Sequence, residues 1–104
     1  MTTLYISKIE THTDDLGRFV TTLTQEIMSK INEHEEQILV GIIQELHEQD
    51  EVMEYCNSDF TEFDVLGVAV NKAINTINTM AGVTYLAPIT EIKDDQLYRV
   101  EIEY

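Results

Sequence analysis

Residues 16–46 read LGRFVTTLTQEIMSKINEHEEQILVGIIQEL, and the division of this stretch decides the fold. In its first half Leu16, Phe19, Val20, Leu23, Ile27 and Ile31 recur at three and four. That spacing predicts one apolar helix face, with the cap-type residues Thr13, Asp14 and Asp15 ahead of it. Asn32 to Glu36 (NEHEE) then breaks the pattern. Asn32 suits the cap of a second helix, and Glu33, Glu35 and Glu36 fall in its first turn, where the helix dipole favours negative charge. The period resumes with Ile38, Leu39, Ile42, Ile43 and Leu46 and extends to Met53. Either two helices meet at Asn32 or one long helix runs through it, and two are expected.

Outward from this stretch, residues 3–10 (TLYISKIE) are rich in β-formers and predict a first strand. On the other side, Cys56-Asn57-Ser58-Asp59 predicts a turn. Asp59 with Glu62 three residues on resembles a capping box heading another helix, with Phe63, Leu66, Val70, Ile74 and Ile77 as its stripe and Gly82 as its stop. Gly67, Ala69 and Ala73 would let that helix approach a neighbour closely. Residues 84–93 and 97–104 flank the polar turn Asp94-Asp95-Gln96 and predict a C-terminal β-hairpin. In its last strand Tyr98, Val100, Ile102 and Tyr104 share one face, and Arg99, Glu101 and Glu103 the other. Pro88 cannot donate to a ladder and is expected at an edge or bulge. The expected fold class is α+β: an N-terminal strand, two or three helices and a C-terminal β-hairpin, the helices packed on a three-stranded antiparallel or mixed sheet.

The 104 residues are expected to form a single domain, since no linker, repeat or low-complexity tract divides them. Apolar residues make up 43%, enough for a core and too many for a disordered acidic tail. Twenty acids against six bases give a net charge of −14, which argues against direct binding to nucleic acid or to an anionic membrane. The lone Cys56 allows no internal disulfide and fits a reducing compartment. Without a basic, apolar leader or a run of ~20 apolar residues, a cytoplasmic location is expected.

Catalytic signatures are missing. His12, His34 and His47 form no H-E-x-x-H or E-x-x-H pair, and the four glycines are dispersed rather than gathered in a phosphate loop. No enzymatic activity, no cofactor and no metal site are expected. A small enzyme using His34 or His47 with a carboxylate has the least support.

What remains is the charge pattern. Residues 31–71 carry eleven carboxylates and no Lys or Arg. On a helical wheel Glu33, Glu36, Glu48, Glu51 and Glu54 lie opposite the apolar stripe. Like charges at Glu33/Glu36, Glu48/Glu51 and Glu51/Glu54 each lose a few tenths of a kcal/mol where a base would have gained as much. The candidate partner-binding residues are Glu33, Glu36, Glu45, Glu48, Asp50, Glu51, Glu54, Asp59, Glu62 and Asp64. Eighteen helical residues rise ~27 Å, over which duplex DNA carries roughly 16 phosphates. One helix is too sparse to imitate that, so a homodimer, or a partner reading a short DNA segment, is expected.

In size, charge and base-free run the chain resembles the small acidic proteins with which bacterial viruses block host DNA-binding proteins, the DNA mimics. Members share no single fold or motif, so the resemblance transfers no residue roles. It implies a non-enzymatic inhibitor that occupies the DNA-binding surface of a basic host protein, such as the histone-like nucleoid protein HU or a nuclease. The competing expectation is a protein-interaction module or transcription regulator that binds through apolar surface, with charge serving solubility. Reversing Glu48, Glu51 and Glu54 to Lys separates the two.

Overall fold

The computed structural model describes residues 2–50, 53–80 and 85–104, with all their side chains but those of His47, Gln49 and Asp50. The elements run β1 (Thr2–Thr13), β2 (Phe19–Ile31), α1 (Glu33–Asp50), β3 (Met53–Cys56), β4 (Glu62–Leu66), α2 (Gly67–Asn78) and β5 (Leu97–Glu103). The class is α+β. One five-stranded sheet has the order β2-β1-β5-β4-β3, and every neighbouring pair is antiparallel.

Both helices cover one face of this sheet. Leu4, Ile6, Phe63, Val65, Tyr98, Val100 and Ile102 point into the core from the strands and meet Leu39, Ile43 and Leu46 of α1 and Val70, Ile74 and Ile77 of α2. The opposite face carries Tyr5 and Ser7 of β1, Arg99 and Glu101 of β5, and Glu62 and Asp64 of β4, as strand alternation requires. None of the described helices is long and apolar enough to cross a membrane.

The largest correction falls on residues 16–31, expected as a helix: residues 19–31 are β2, and 16–18 belong to the loop before it. A spacing of four is even, so it also keeps side chains on one face of a strand. Thr21, Thr22 and Thr24 and Val20 favour the extended form. Among the described residues the sheet therefore has five strands rather than three. Asp59 and Glu62 form no helix cap: Glu62 opens β4, Phe63 and Val65 alternate into the core, and α2 begins only at Gly67. Met53 belongs to β3, not to the α1 stripe. Residues 85–93 form no strand, so β5 has no hairpin partner there; it lies between β1 and β4. Pro88 sits in that irregular segment, and the stop expected at Gly82 lies outside the described residues.

Other expectations hold. The strand over residues 3–10 is β1. Asn32 caps α1 in a reciprocal box: its Oδ1 accepts the Glu35 N–H (2.8 Å) and its own N–H donates to Glu35 Oε1 (3.1 Å). The α2 N-terminus has no side-chain cap; the Gly67 and Val68 N–H groups donate to the carbonyls of Gln96 (2.8 Å) and Asp94 (3.1 Å) in the turn before β5.

β1 pairs with β5 only over residues 3–8, whereas it pairs with β2 to its end. Beyond Lys8 the two strands continue as a two-stranded arm, and the described residues measure 50 × 28 × 25 Å. The arm closes in a three-residue loop in which Gly17 takes φ 78°. Asp14 N–H donates to the Arg18 carbonyl (2.9 Å), and Gly17 N–H to the Asp14 carbonyl (3.0 Å). The N–H of Arg18, together with that of Leu16 and the Arg18 guanidinium, holds the Asp14 carboxyl below its ordinary value.

A bulge at Glu26 separates arm from body. Ile6 pairs with Ile27 but Ser7 with Gln25, so Glu26 is the extra residue. Its buried carboxylate accepts the Thr90 N–H (2.9 Å) and hydroxyl (2.8 Å), and its carbonyl accepts the Ile89 N–H (3.0 Å). The insertion switches the pleat. Phe19, Thr21, Leu23 and Gln25 face away from the helix side, whereas Ile27 and Ile31 face the core.

Candidate acidic binding groove

α1 presents its first turn to the end of β5. Glu33 and Glu36 line a hollow of about 450 Å³ with Thr2, Gln37 and Tyr104. Glu36, Gln37 and Tyr104 also wall a second hollow of about 250 Å³, which adds Gln44, Asp59 and Phe60. Gln44 and Phe60 pass into a third of about 360 Å³ that holds Glu48, Met53 and Cys56. The three hollows share wall residues and follow one another in a row along α1 from Glu33 to Glu48, about 23 Å at the helical rise, and together they form the candidate groove. No Lys or Arg is among its lining residues.

Two aromatic residues shape this groove. The Tyr104 hydroxyl donates to the Glu36 carboxylate. That bond, together with some burial and the charges of Glu36 and Glu33, pushes the Tyr104 phenol above its ordinary value. Phe60 sits at φ 54°, a left-handed conformation uncommon for a bulky side chain. The turn around it is heavily tied. Asn57 Oδ1 accepts the N–H groups of Thr61 (2.9 Å) and Glu62 (3.1 Å), and Asn57 Nδ2 donates to Thr61 Oγ1 (2.8 Å). Such over-determination is how a strained residue is held in place.

The ten candidate residues therefore separate. Glu33, Glu36, Glu48 and Asp59 share the groove. Glu45 is exposed on α1, and Glu54 is exposed on β3 rather than on a helix. Glu62 and Asp64 lie on the helix-free face of the sheet, where Arg99 joins them. Its Nε is 2.8 Å from Asp64 Oδ1 and 3.5 Å from Glu62 Oε1, and its Nη2 donates to Asp64 Oδ2 at 3.2 Å. The bond to Asp64 and the neighbouring carboxylates raise the Arg99 pKa further. The base-free run of the sequence is thus interrupted in space by a base from β5. The Asp50 side chain and Glu51 lie outside the described residues.

The groove adds Tyr104 and Phe60, which sequence reasoning did not place there. Alternation groups Tyr104 with Tyr98, Val100 and Ile102 on one face of the last strand, yet it follows the last residue of β5 and is exposed. Phe60 carried one signal, an aromatic residue inside a polar turn.

His34 is exposed on α1 and His12 on the arm. Among the described residues no three His, Cys, Asp or Glu side chains gather closely enough to hold a metal ion. The Cys56 thiol donates to the Asn57 carbonyl (3.2 Å), and partial burial pushes its pKa up. A carboxylate-lined groove with aromatic walls can accept guanidinium or ammonium groups, through charge-assisted hydrogen bonds and cation–π contact. In comparisons with known proteins, no family model, curated protein or solved structure matches the chain.

Proposed function

We propose that this chain is a non-enzymatic acidic binding protein that occupies the DNA-contacting surface of a basic protein by taking its Arg and Lys side chains into the groove along α1. The observation that carries this reading is the row of hollows itself: among the described residues, four carboxylates and two aromatic residues line it and no Lys or Arg does. Over the same ~23 Å a duplex carries roughly 13 phosphates, so the groove stands in for a short stretch of backbone and not for a full duplex face. A bacterial nucleoid protein of the HU kind, or a nuclease, offers a matching basic surface. A homodimer acting in the host cytoplasm goes with this reading.

The test is competition. Purified HU carrying a labelled short duplex is titrated with the chain at low salt. The chain is expected to displace the DNA, with an effect that fades as salt rises. Replacing Glu33, Glu36 and Asp59 together by Gln is expected to weaken displacement roughly tenfold or more. Displacement unchanged by that triple variant would sink the reading, as would failure to retain any nucleic-acid-binding protein from a bacterial lysate.

The arm supports a second reading, in which apolar contact does the binding and charge keeps the chain soluble. Leu16 is 76% and Phe19 84% exposed. Arm substitutions that abolish HU binding while groove substitutions leave it intact would favour that reading.

A further inference from the structure

We infer that the outer edge of β2 over residues 19–25 is a homodimer interface, pairing antiparallel with the same edge of a second copy. The inference supplies a surface for the second copy that the functional reading includes, and its argument is independent of the groove.

The edge is free. In the sheet order β2 is terminal, and among the described residues no backbone hydrogen bond from outside the ladder reaches residues 19–25. Its hydrogen-bonding sense follows from the loop. Asp14 bonds Arg18, so antiparallel alternation directs the polar groups of Val20, Thr22 and Thr24 toward β1. Those of Phe19, Thr21, Leu23 and Gln25 point outward. Natural edges are usually blunted by Lys, Pro, bulges or a covering segment. Among the described residues the covering segment reaches only Glu26, through Ile89, and residues 19–25 (FVTTLTQ) contain no Pro and no charge.

The occupant follows from charge and shape. Two copies of net charge −14 repel almost everywhere, yet on this edge they meet without a charged side chain on either strand. A two-fold axis at Thr22 sets Thr21 against Leu23 and Phe19 against Gln25 of the other copy. All four direct their backbone groups outward, giving about eight backbone bonds. In this register the loop of one arm reaches the root of the other. There a groove of about 350 Å³ lies between β2 and residues 85–89, with Met28, Tyr85 and Ile89 strongly exposed around it. Leu16 and Phe19 at the tip supply apolar side chains to fill it. Leu16, Phe19, Leu23, Met28, Tyr85 and Ile89 cover roughly 400–700 Å² per copy by the transfer scale, approaching the ~800 Å² per partner of a standard interface. Since the axis stands perpendicular to the sheet, both helix layers and both α1 grooves face the same side.

The test is sedimentation equilibrium of the intact chain at about 100 µM, where any association tighter than that Kd populates the dimer. The wild type is expected at twice 12.0 kDa. Thr21→Pro removes an outward N–H, keeps the β1–β2 ladder, and is expected to be monomeric with an unchanged circular dichroism spectrum. Leu23→Lys is expected to shift the equilibrium at least tenfold toward monomer. A monomeric wild type overturns the inference, as do variants that remain fully dimeric. If Thr21→Pro fails to fold, amide exchange of the wild type decides: Thr21 and Leu23 protected in the dimer support the edge, and fast exchange in a dimer overturns it. None of these readouts uses HU, so a dimer without HU binding removes only the functional reading, and HU binding by a monomer removes only the edge.

Discussion

Gly67 shows how tightly one residue can be fixed by its surroundings. A Cβ built there would lie 1.8 Å from the Lys93 carbonyl oxygen and 3.0 Å from the Tyr98 ring, so the backbone of the β5 approach turn blocks any side chain. Gly67→Ala is expected to cost at least about 1–3 kcal/mol, read as a lower urea midpoint with an unchanged slope. A midpoint equal to wild type would show that the turn yields freely. Tyr104 offers a readout of the groove. Its folded pKa is raised, so whatever the Glu36 contact contributes is fully present below the unfolded value near 10 and is lost as pH rises through the folded value. Glu36→Gln removes the charge, and the Tyr104 phenolate absorbance, isolated by difference from Tyr104→Phe, is expected to appear at lower pH. Coincident curves would mean that the contact does not persist in solution.

At the level of elements, the sequence was legible where one period excluded the other. In α1 the alternatives never arose: Asn32, the acidic first turn and the paired apolar residues Ile38-Leu39 and Ile42-Ile43 all indicate a helix. In β5 strict alternation of Tyr98, Val100 and Ile102 against Arg99 and Glu101 indicates a strand. β2 was misread because Leu23, Ile27 and Ile31 stand four apart, a spacing that satisfies both a helix face and a pleat. The bulge at Glu26 hid the remaining clue by changing which residues alternate inward. β4 was misread for a related reason. Phe63 and Leu66 extend the α2 stripe backwards in sequence, while Phe63 and Val65 are what the sheet buries. Nothing in residues 53–56 marks β3 apart from its neighbour, because its strand character comes from pairing with β4.

For the molecule as a whole, the −14 charge is a destabilising field as well as the basis of the proposed binding role. Raising salt from about 10 to 150 mM shortens the screening length from ~30 to ~8 Å, and the melting temperature is expected to rise by roughly several degrees. A flat or falling dependence, followed by calorimetry, would show that like-charge repulsion does not limit stability. Part of the site was legible for the same reason: helical spacing alone brings Glu33, Glu36 and Glu48 along α1. Its aromatic walls and the loss of Glu62 and Asp64 to Arg99 were not, since both depend on strands that meet only in the folded sheet. The arm beyond Lys8 pairs only with itself, which bears on how such a chain can change over time. Residues gained or lost in matched pairs on its two strands lengthen or shorten the reach while every buried side chain of the core keeps its side. The arm is thereby an adjustable spacer on a fixed chassis, and its length is free to be tuned without refolding the rest.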